Sequence, residues 1–312
     1  MEINNKEKKL ISAVVYLHNN ADKIVPFVQN VIRNIDPVFE KFEIIIVNDC
    51  SYDHSLSQLK SDVFLSQYMV SIVNMSIHQG LEISMSAGID ISMGDFVYEF
   101  DDLDVDYDFS LILAAYQKII SGFDIVSVSP TTANTFSSRL FYKVFNRYSK
   151  SRHKLRSDRF RILSRRAINR AYSISKTIPY RKALYANSGL NLEVIEYAPV
   201  IKISKTTNKE KSIFRNKMAI NSLIIYTNLA FNISLGITLA LFVFTILTVF
   251  YVCAIYFSGT KPIEGWTTTM LVMSGSFSGI FFILAIIIKY LSLLIELVYS
   301  KKTYLVESVE RL

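Results

Sequence analysis

The chain has 312 residues, 51% of them hydrophobic, and a formal net charge of +7. That is enough for one medium domain plus membrane segments, and two cysteines exclude a disulfide framework. Cys50 sits among polar loop residues and Cys253 in an apolar tail, so no bridge between them is expected and a reducing compartment fits.

The first ten residues, MEINNKEKKL, lack the apolar core of a secretory signal. Residues 10–16 (LISAVVY) form a continuous apolar, β-rich run, as do residues 42–47, 70–73, 95–100 and 123–128. Segments of helical length and spacing lie between them, at 21–35, 53–66, 80–92 and 108–121. Strand–helix alternation of this kind predicts an α/β fold, a mostly parallel sheet covered on both faces. Ligands on such sheets bind at the carboxyl ends of the strands, and the polar clusters fall there. Residues 16–20 (YLHNN) follow the first strand and residues 48–53 (NDCSYD) the second. The fourth strand runs into Asp101, Asp102, Asp104, Asp106 and Asp108. A strand that ends in carboxylates can hold a hard divalent cation, Mg²⁺ or Mn²⁺, through oxygen ligands, and such a cation neutralises a diphosphate. A solvated acidic turn has the same composition.

Charge is unevenly spread. Residues 1–149 carry a net −8 and residues 150–217 a net +14. The basic band could meet nucleic acid, but it immediately precedes a very apolar tail. That placement favours a surface held on anionic lipid, with no nucleic-acid partner. Residues 218–260 contain no formal charge. We expect an interfacial helix at 218–229 and a first membrane span at about 231–257. The uncharged residues 265–288 supply a second span, with Tyr256 and Trp266 as interface anchors. Lysine and arginine flank the outer ends of the pair, while the loop between carries Lys261, so the positive-inside rule puts both termini in the cytoplasm, as for a multi-pass inner-membrane protein. Small residues at 274–279 allow close helix approach, as in a homo-oligomer or in an ordinary span.

Several motifs together carry a resemblance. Val47-Asn-Asp-Cys-Ser-Tyr-Asp-His-Ser55 is similar to the V-D-D-G-S-x-D-x-S of family 2 glycosyltransferases. His78-Gln-Gly80, Ser86-Ala-Gly88 and Gly94-Asp95 resemble the stretch that leads into that family's D-x-D metal motif. Residues 138–146 and 160–166, with the paired spans and residues 304–306, resemble the polyprenyl-phosphate type, which includes dolichyl-phosphate-mannose synthases and bactoprenol glucosyltransferases. The resemblance implies a GT-A catalytic domain over residues 1–200, a basic juxtamembrane and interfacial segment over 201–229, and a two-helix hairpin with a short cytosolic tail over 230–312. It implies an inverting transfer of a hexose, from UDP-glucose or another UDP-sugar, to undecaprenyl phosphate.

The same resemblance assigns roles. Tyr16, Asn19, Asp49, Ser51, His78, Gly80 and Asp101 would bind the nucleotide sugar, Asp49 at the base or ribose. Asp101, Asp102 and Asp104 would hold the cation, with Asp102, Arg139 and Arg161 catalytic. Arg139, Arg161, Arg165, Lys211 and Arg215 would draw in the lipid phosphate, because two anions must be screened from each other. Asp49 also suits a turn or helix cap. His18 and His78 read as loop-positioning residues, since a lipid phosphate needs no general base. The chain departs from the family pattern at Asn48, Cys50, Phe100 and Arg159, where the family has Asp, Gly, Asp and Asp. A glycan-extending enzyme and a scaffold of the same fold that has lost catalysis are the competing readings.

Overall fold

The computed structural model describes residues 6–131, 136–148, 154–174, 180–199, 265–299 and 304–312, with six single residues between 236 and 257. The chain divides into two units, residues 1–218 with 302–312, and residues 219–301.

The first unit is built on an eight-stranded sheet. Its parallel centre is β1 (Ile11–Leu17), β2 (Phe42–Asn48), β3 (Val70–Met75) and β4 (Phe96–Phe100), in the order β2 and β4 on either side of β1, with β3 outside β2. β5 (Ile125–Pro130) and β7 (Leu192–Tyr197) also run parallel to each other, joined to β4 through the antiparallel β6 (Phe160–Ser164). The connecting helices are α1 (Ala21–Ile35), α2 (Ser55–Ser61), α3 (Leu81–Ile91), α4 (Ser110–Ile120), α5 (Phe136–Tyr148), α6 (Arg165–Ile174) and α7 (Arg181–Ala186).

β1 and β2 are mostly apolar because both their faces are covered, and the buried Ser12 hydroxyl donates to Glu43. Ala13, Val15 and Leu17 pack with α1 and α4 residues in one buried cluster; Val14, Ile45 and Val47 pack with α3 and α6 residues in another. The five expected strands are present to within about two residues. The expected helix at 53–66 is shorter, ending at Ser61 before a 3₁₀ turn at Leu65–Gln67.

One strand belongs to a segment that the sequence places with the membrane hairpin. Val306–Arg311, here β8, pairs antiparallel with β3 and forms the sheet's edge. The expected short tail is therefore part of the first unit. In the second unit, α8 (Trp266–Tyr299) is a 34-residue helix. Its described side chains include exposed Phe277, Ile280, Ile287 and Leu291. Counting the described residues alone, no helix is long and apolar enough to cross a membrane. The expected helix at 218–229 and nearly all of the expected first span lie outside the described residues.

Gly88 sets how closely α3 lies on the sheet. A Cβ there would stand 2.5 Å from Val47 Cγ2 and 2.6 Å from Val14 Cγ1. Overpacking of this kind costs about 1–3 kcal/mol, against about 1 kcal/mol of helix propensity gained. Gly88→Ala should lower unfolding stability by up to about 2 kcal/mol in urea titration; a raised midpoint would contradict this packing.

Candidate active site at the carboxyl edge of the sheet

β1, β2, β3 and β4 are parallel, so their carboxyl ends meet at one edge. At the end of β2, Asp49 is fully buried. Its carboxylate accepts hydrogen bonds from the Gln79 backbone N–H (2.8 Å), the Gly80 backbone N–H (2.9 Å) and Tyr16 Oη (2.8 Å). His78 Nδ1 lies 3.0 Å from the same carboxylate. Asp49, just after β2, thus ties the end of β1 to the loop after β3. Burial and the adjacent Asp49 charge push the Tyr16 phenol well above its ordinary pKa, so it remains a donor. His18 Nδ1 is 2.7 Å from the Asp49 carbonyl and must donate to it, which leaves Nε2 to accept from Asn19 Nδ2 (3.1 Å). The two imidazole rings lie 4.3 Å apart, with Tyr52 edge-on to His18.

The loop after β2 is locked to the loop after β1. The Asn19 backbone N–H donates to Ser51 Oγ (3.1 Å) and the Tyr52 N–H to Asn19 Oδ1 (2.9 Å). Asn19 and Cys50 both have positive φ, 51° and 55°. A left-handed residue explains a glycine at position 50 in the family pattern; a cysteine there carries about 1–2 kcal/mol of strain. Asn48 is buried too, its Oδ1 accepting from the Ser51 N–H (3.1 Å) and its Nδ2 donating to Asn74 Oδ1 (2.9 Å).

At the end of β4 the pleat decides which acid goes where. Tyr98 and Phe100 face the α1–α4 core, so the residue at the family's first acidic position is packed in hydrocarbon. Glu99 and Asp101 face the other way, into a buried ionic cluster. Arg161, paired with Glu99 across β6, donates to Glu99 (2.5 Å), Asp158 (3.0 Å) and Asp101. Arg181, at the start of α7, donates to Glu82 (2.7 Å) and Asp101 (2.6 Å) and lies 3.1 Å from Glu99. Tyr185 Oη donates to Glu99 (2.5 Å), and Lys182 pairs with Asp158. Burial pushes the Asp101 carboxyl up, but the Arg161 and Arg181 guanidiniums outweigh it and hold Asp101 well below the usual range. For Glu99 burial wins and its pKa is raised.

These contacts revise several expectations. Both Asp101 oxygens are taken by arginines, so Asp101 braces the loop and is not placed as a cation or nucleotide ligand. Arg161 is 1% exposed with every guanidinium nitrogen bonded to a carboxylate, so it is not placed to meet a lipid phosphate. Arg165 lies at the opposite end of β6, where it donates to the carbonyls of Ser92 (3.0 Å) and Gly94 (3.0 Å) before β4. Arg159, at the family's acidic position, donates to buried Asp106 (2.9 Å). The acids that reach the rim are Asp102, which is exposed, and Asp104, which pairs with Lys23 and whose N–H donates to Asp102 Oδ1 (3.1 Å). Arg139 stands on α5 with its side chain outside the description; Lys211 and Arg215 lie outside the described residues.

Among the described residues, His18, Asp49 and His78 form the trio whose ligand atoms lie close enough, within 4.8 Å, to hold a metal ion. At present His18 Nδ1 donates to the Asp49 carbonyl and His78 Nδ1 faces the carboxylate. Arg181, Glu82, Lys182 and Tyr185 were not singled out from the sequence. Arg181 and Lys182 lie in the basic band, but their carboxylate partners are up to 99 positions away along the chain.

The family model for glycosyl transferase family 2 matches residues 12–188, which hold this whole edge. The chain belongs to glycosyl transferase family 2. It is 30% identical over 182 residues to an uncharacterized glycosyltransferase of Synechocystis sp., covering 56% of this chain and 57% of that one. It is 24% identical over 192 residues to the uncharacterized glycosyltransferase YkcC of Bacillus subtilis, covering 60% and 59%. The match thus spans less than two thirds of either relative. Among solved structures, the fold is similar to the mannosyltransferase PcManGT of Pyrobaculum calidifontis in complex with GDP-Man and Mn²⁺, at 15% identity and TM-score 0.52, covering 70% of this chain and 64% of that one. Glucosyl-3-phosphoglycerate synthase of Mycobacterium tuberculosis, in complex with Mn²⁺, UDP and phosphoglyceric acid, is similar at 13% identity and TM-score 0.50, covering 69% and 78%. At these identities the shared property is the fold.

Removing one member of a buried ionic cluster leaves an uncompensated charge, at a cost of about 3–5 kcal/mol. Arg181→Met should destabilise this family 2 domain by that amount in denaturant titration. The depressed Asp101 pKa sets the sign with pH. The Arg181–Asp101 contribution is complete above the unfolded carboxylate value of about 3.9 and is lost as pH falls below it. The gap between wild type and variant should therefore narrow in acid; a gap independent of pH would refute the pairing.

Proposed function

We propose that the chain transfers a hexose from a nucleotide donor, UDP-glucose or another UDP-sugar, to polyprenyl phosphate at the cytoplasmic face of a membrane. The observation that carries this reading is the chain's route. It leaves the catalytic unit after Met218 and returns to its sheet with β8. The intervening residues contain two long uncharged runs and a 34-residue helix with exposed apolar side chains. An enzyme tethered in this way to an apolar phase has its acceptor there. The +14 band of residues 150–217 supports an anionic surface and an anionic acceptor.

The chemistry agrees. A sugar hydroxyl acceptor needs a general base, whereas a lipid phosphate is already ionised at neutral pH. The buried carboxylates at the end of β4 are tied to guanidiniums, with Asp101 held below its usual range, which makes it a poor base. In the transfer, a phosphate oxygen attacks the anomeric carbon as the bond to the diphosphate breaks. The nucleoside diphosphate leaves, and the sugar carbon inverts. Asp102 with Asp104 would hold a Mg²⁺ or Mn²⁺ ion. One or two carboxylates plus the donor's own phosphates suffice for such an ion, so the loss of Asp101 and of an acid at position 100 is compatible with it. Bound there, the cation supplies charge neutralisation to the departing diphosphate. The aromatic and imidazole groups around Asp49 would take the base and ribose, and Arg139, Lys211 and Arg215 would screen the acceptor's charge.

Full-length protein in lipid vesicles, given radiolabelled UDP- or GDP-sugars and undecaprenyl phosphate, should move label into the organic phase. Asp102→Ala should reduce the rate at least about a hundredfold, as expected when stabilisation of leaving-group charge is lost. Label that enters only a water-soluble glycan would favour chain extension. No turnover with any donor would favour a scaffold.

A further inference from the structure

We propose that the C-terminal strand β8 is a positioning element of the donor site, so that the site is complete only once the last nine residues of the chain have returned to the sheet. This rests on the reading of Asp49 as a donor-binding residue, and it names what holds that residue's loop in place.

Two routes of hydrogen bonds run from β8 to the end of β2. In the first, Gln79 grips the residue before β8 with both ends of its side-chain amide. Its Nε2 donates to the Leu305 carbonyl (2.9 Å), and the Leu305 N–H donates to its Oε1 (3.0 Å). The backbone N–H of the same Gln79 donates to Asp49 Oδ1 (2.8 Å). One residue therefore has its side chain on the tail and its main chain on Asp49. The Leu305 carbonyl also accepts from the Ser76 N–H (3.0 Å) and hydroxyl (2.9 Å), which fixes the start of the same loop. In the second route, Asn74 Nδ2 donates to Ser308 Oγ (3.0 Å) and Glu310 Oε1 (3.0 Å), while Asn74 Oδ1 accepts from Asn48 Nδ2 (2.9 Å). Asn48 in turn caps the Ser51 N–H. An Asp at position 48 has no N–H to give Asn74, so the departure from the family pattern at this position completes the route to β8.

The register adds a further point. β3 and β8 pair regularly from Ser71↔Arg311 to Asn74↔Ser308 and then shift between Asn74 and Met75. The irregularity falls where the strand gives way to residues 76–80, and it lets the Leu305 carbonyl face Ser76 and Gln79. An edge strand that served only to cover β3 would need no such grip on the loop beyond it.

The test uses the full chain in vesicles. Gln79→Ala removes the side-chain grip while leaving the Asp49 bond and the β3–β8 ladder available. Tyr304→Phe is the control: it deletes a tail hydrogen bond to Asp90 (3.0 Å) that does not touch the loop. A third variant ends the chain after Thr303, and a synthetic peptide of residues 304–312 is added back to it. Donor KM should rise about tenfold in Gln79→Ala, the loss of roughly one well-made hydrogen-bond pair, with kcat and lipid KM little changed. The truncated chain should lose measurable UDP binding by calorimetry and regain it with the peptide; Tyr304→Phe should match wild type. Amide exchange at Gln79 and Gly80 should accelerate in both loop variants and slow again with the peptide. Unchanged exchange at these two amides would overturn the proposal whatever the enzyme's substrate. Accelerated exchange with no nucleotide bound even by wild type would leave β8 as the loop's support and refute the donor-site reading instead. Equal loss of kcat and of both KM values would assign β8 a general structural role and also overturn the proposal.

Discussion

A carboxylate cut off from water must receive its hydrogen bonds from the protein, and Asp49 shows what that requirement does to a fold. Its donors come from the end of β1 and from the loop after β3, so satisfying one side chain at the end of β2 fixes the relative positions of the ends of β1, β2 and β3. Two of those donors are main-chain N–H groups, which point inward only if residues 78–80 take one conformation. The hydrogen bonds hold this rim in one arrangement, and positive φ at Asn19 and Cys50 is tolerated because bonds on both sides hold those residues.

The same requirement, applied at the end of β4, separates adjacent acids. Successive strand residues face opposite ways, so Phe100 enters the core and Asp101 turns toward Arg161 and Arg181. Once Asp101 is held by two guanidiniums, Asp102 is the first acid after the strand whose carboxylate reaches solvent. β1 separates β2 from β4, which puts the Asp49 and Asp102 positions about 10 Å apart at one edge. The cluster thus sets the direction of the acidic loop.

The strands that were legible in the sequence are those buried on both faces, because burial on both faces leaves a predominantly apolar run. β6 reads as F-R-I-L-S, and Arg161 disguises it; the residues that make a buried arginine acceptable there are Glu99 and Asp101, some sixty positions earlier. β7 and β8 are half-exposed edge segments whose alternation is too short to stand out. In the site, the acid at 49 was legible from its place after a strand, whereas its backbone donors carry no residue-type signal. The arginine assignments fared worst for a geometric reason. Arg161 and Arg165 are four residues apart in sequence, but along an extended strand that is about 13 Å, which carries them to opposite ends of the sheet.

The return of the chain to its own sheet also limits what lies between. Residues 219–301 are flanked on both sides by segments of the first unit, so any bilayer they cross is crossed an even number of times. Helical throughout, those 83 residues would extend about 125 Å, and four passages of a 30 Å hydrocarbon layer would use nearly all of that with nothing left for turns. Two passages leave about 40 residues for turns, interface and the approach to β8.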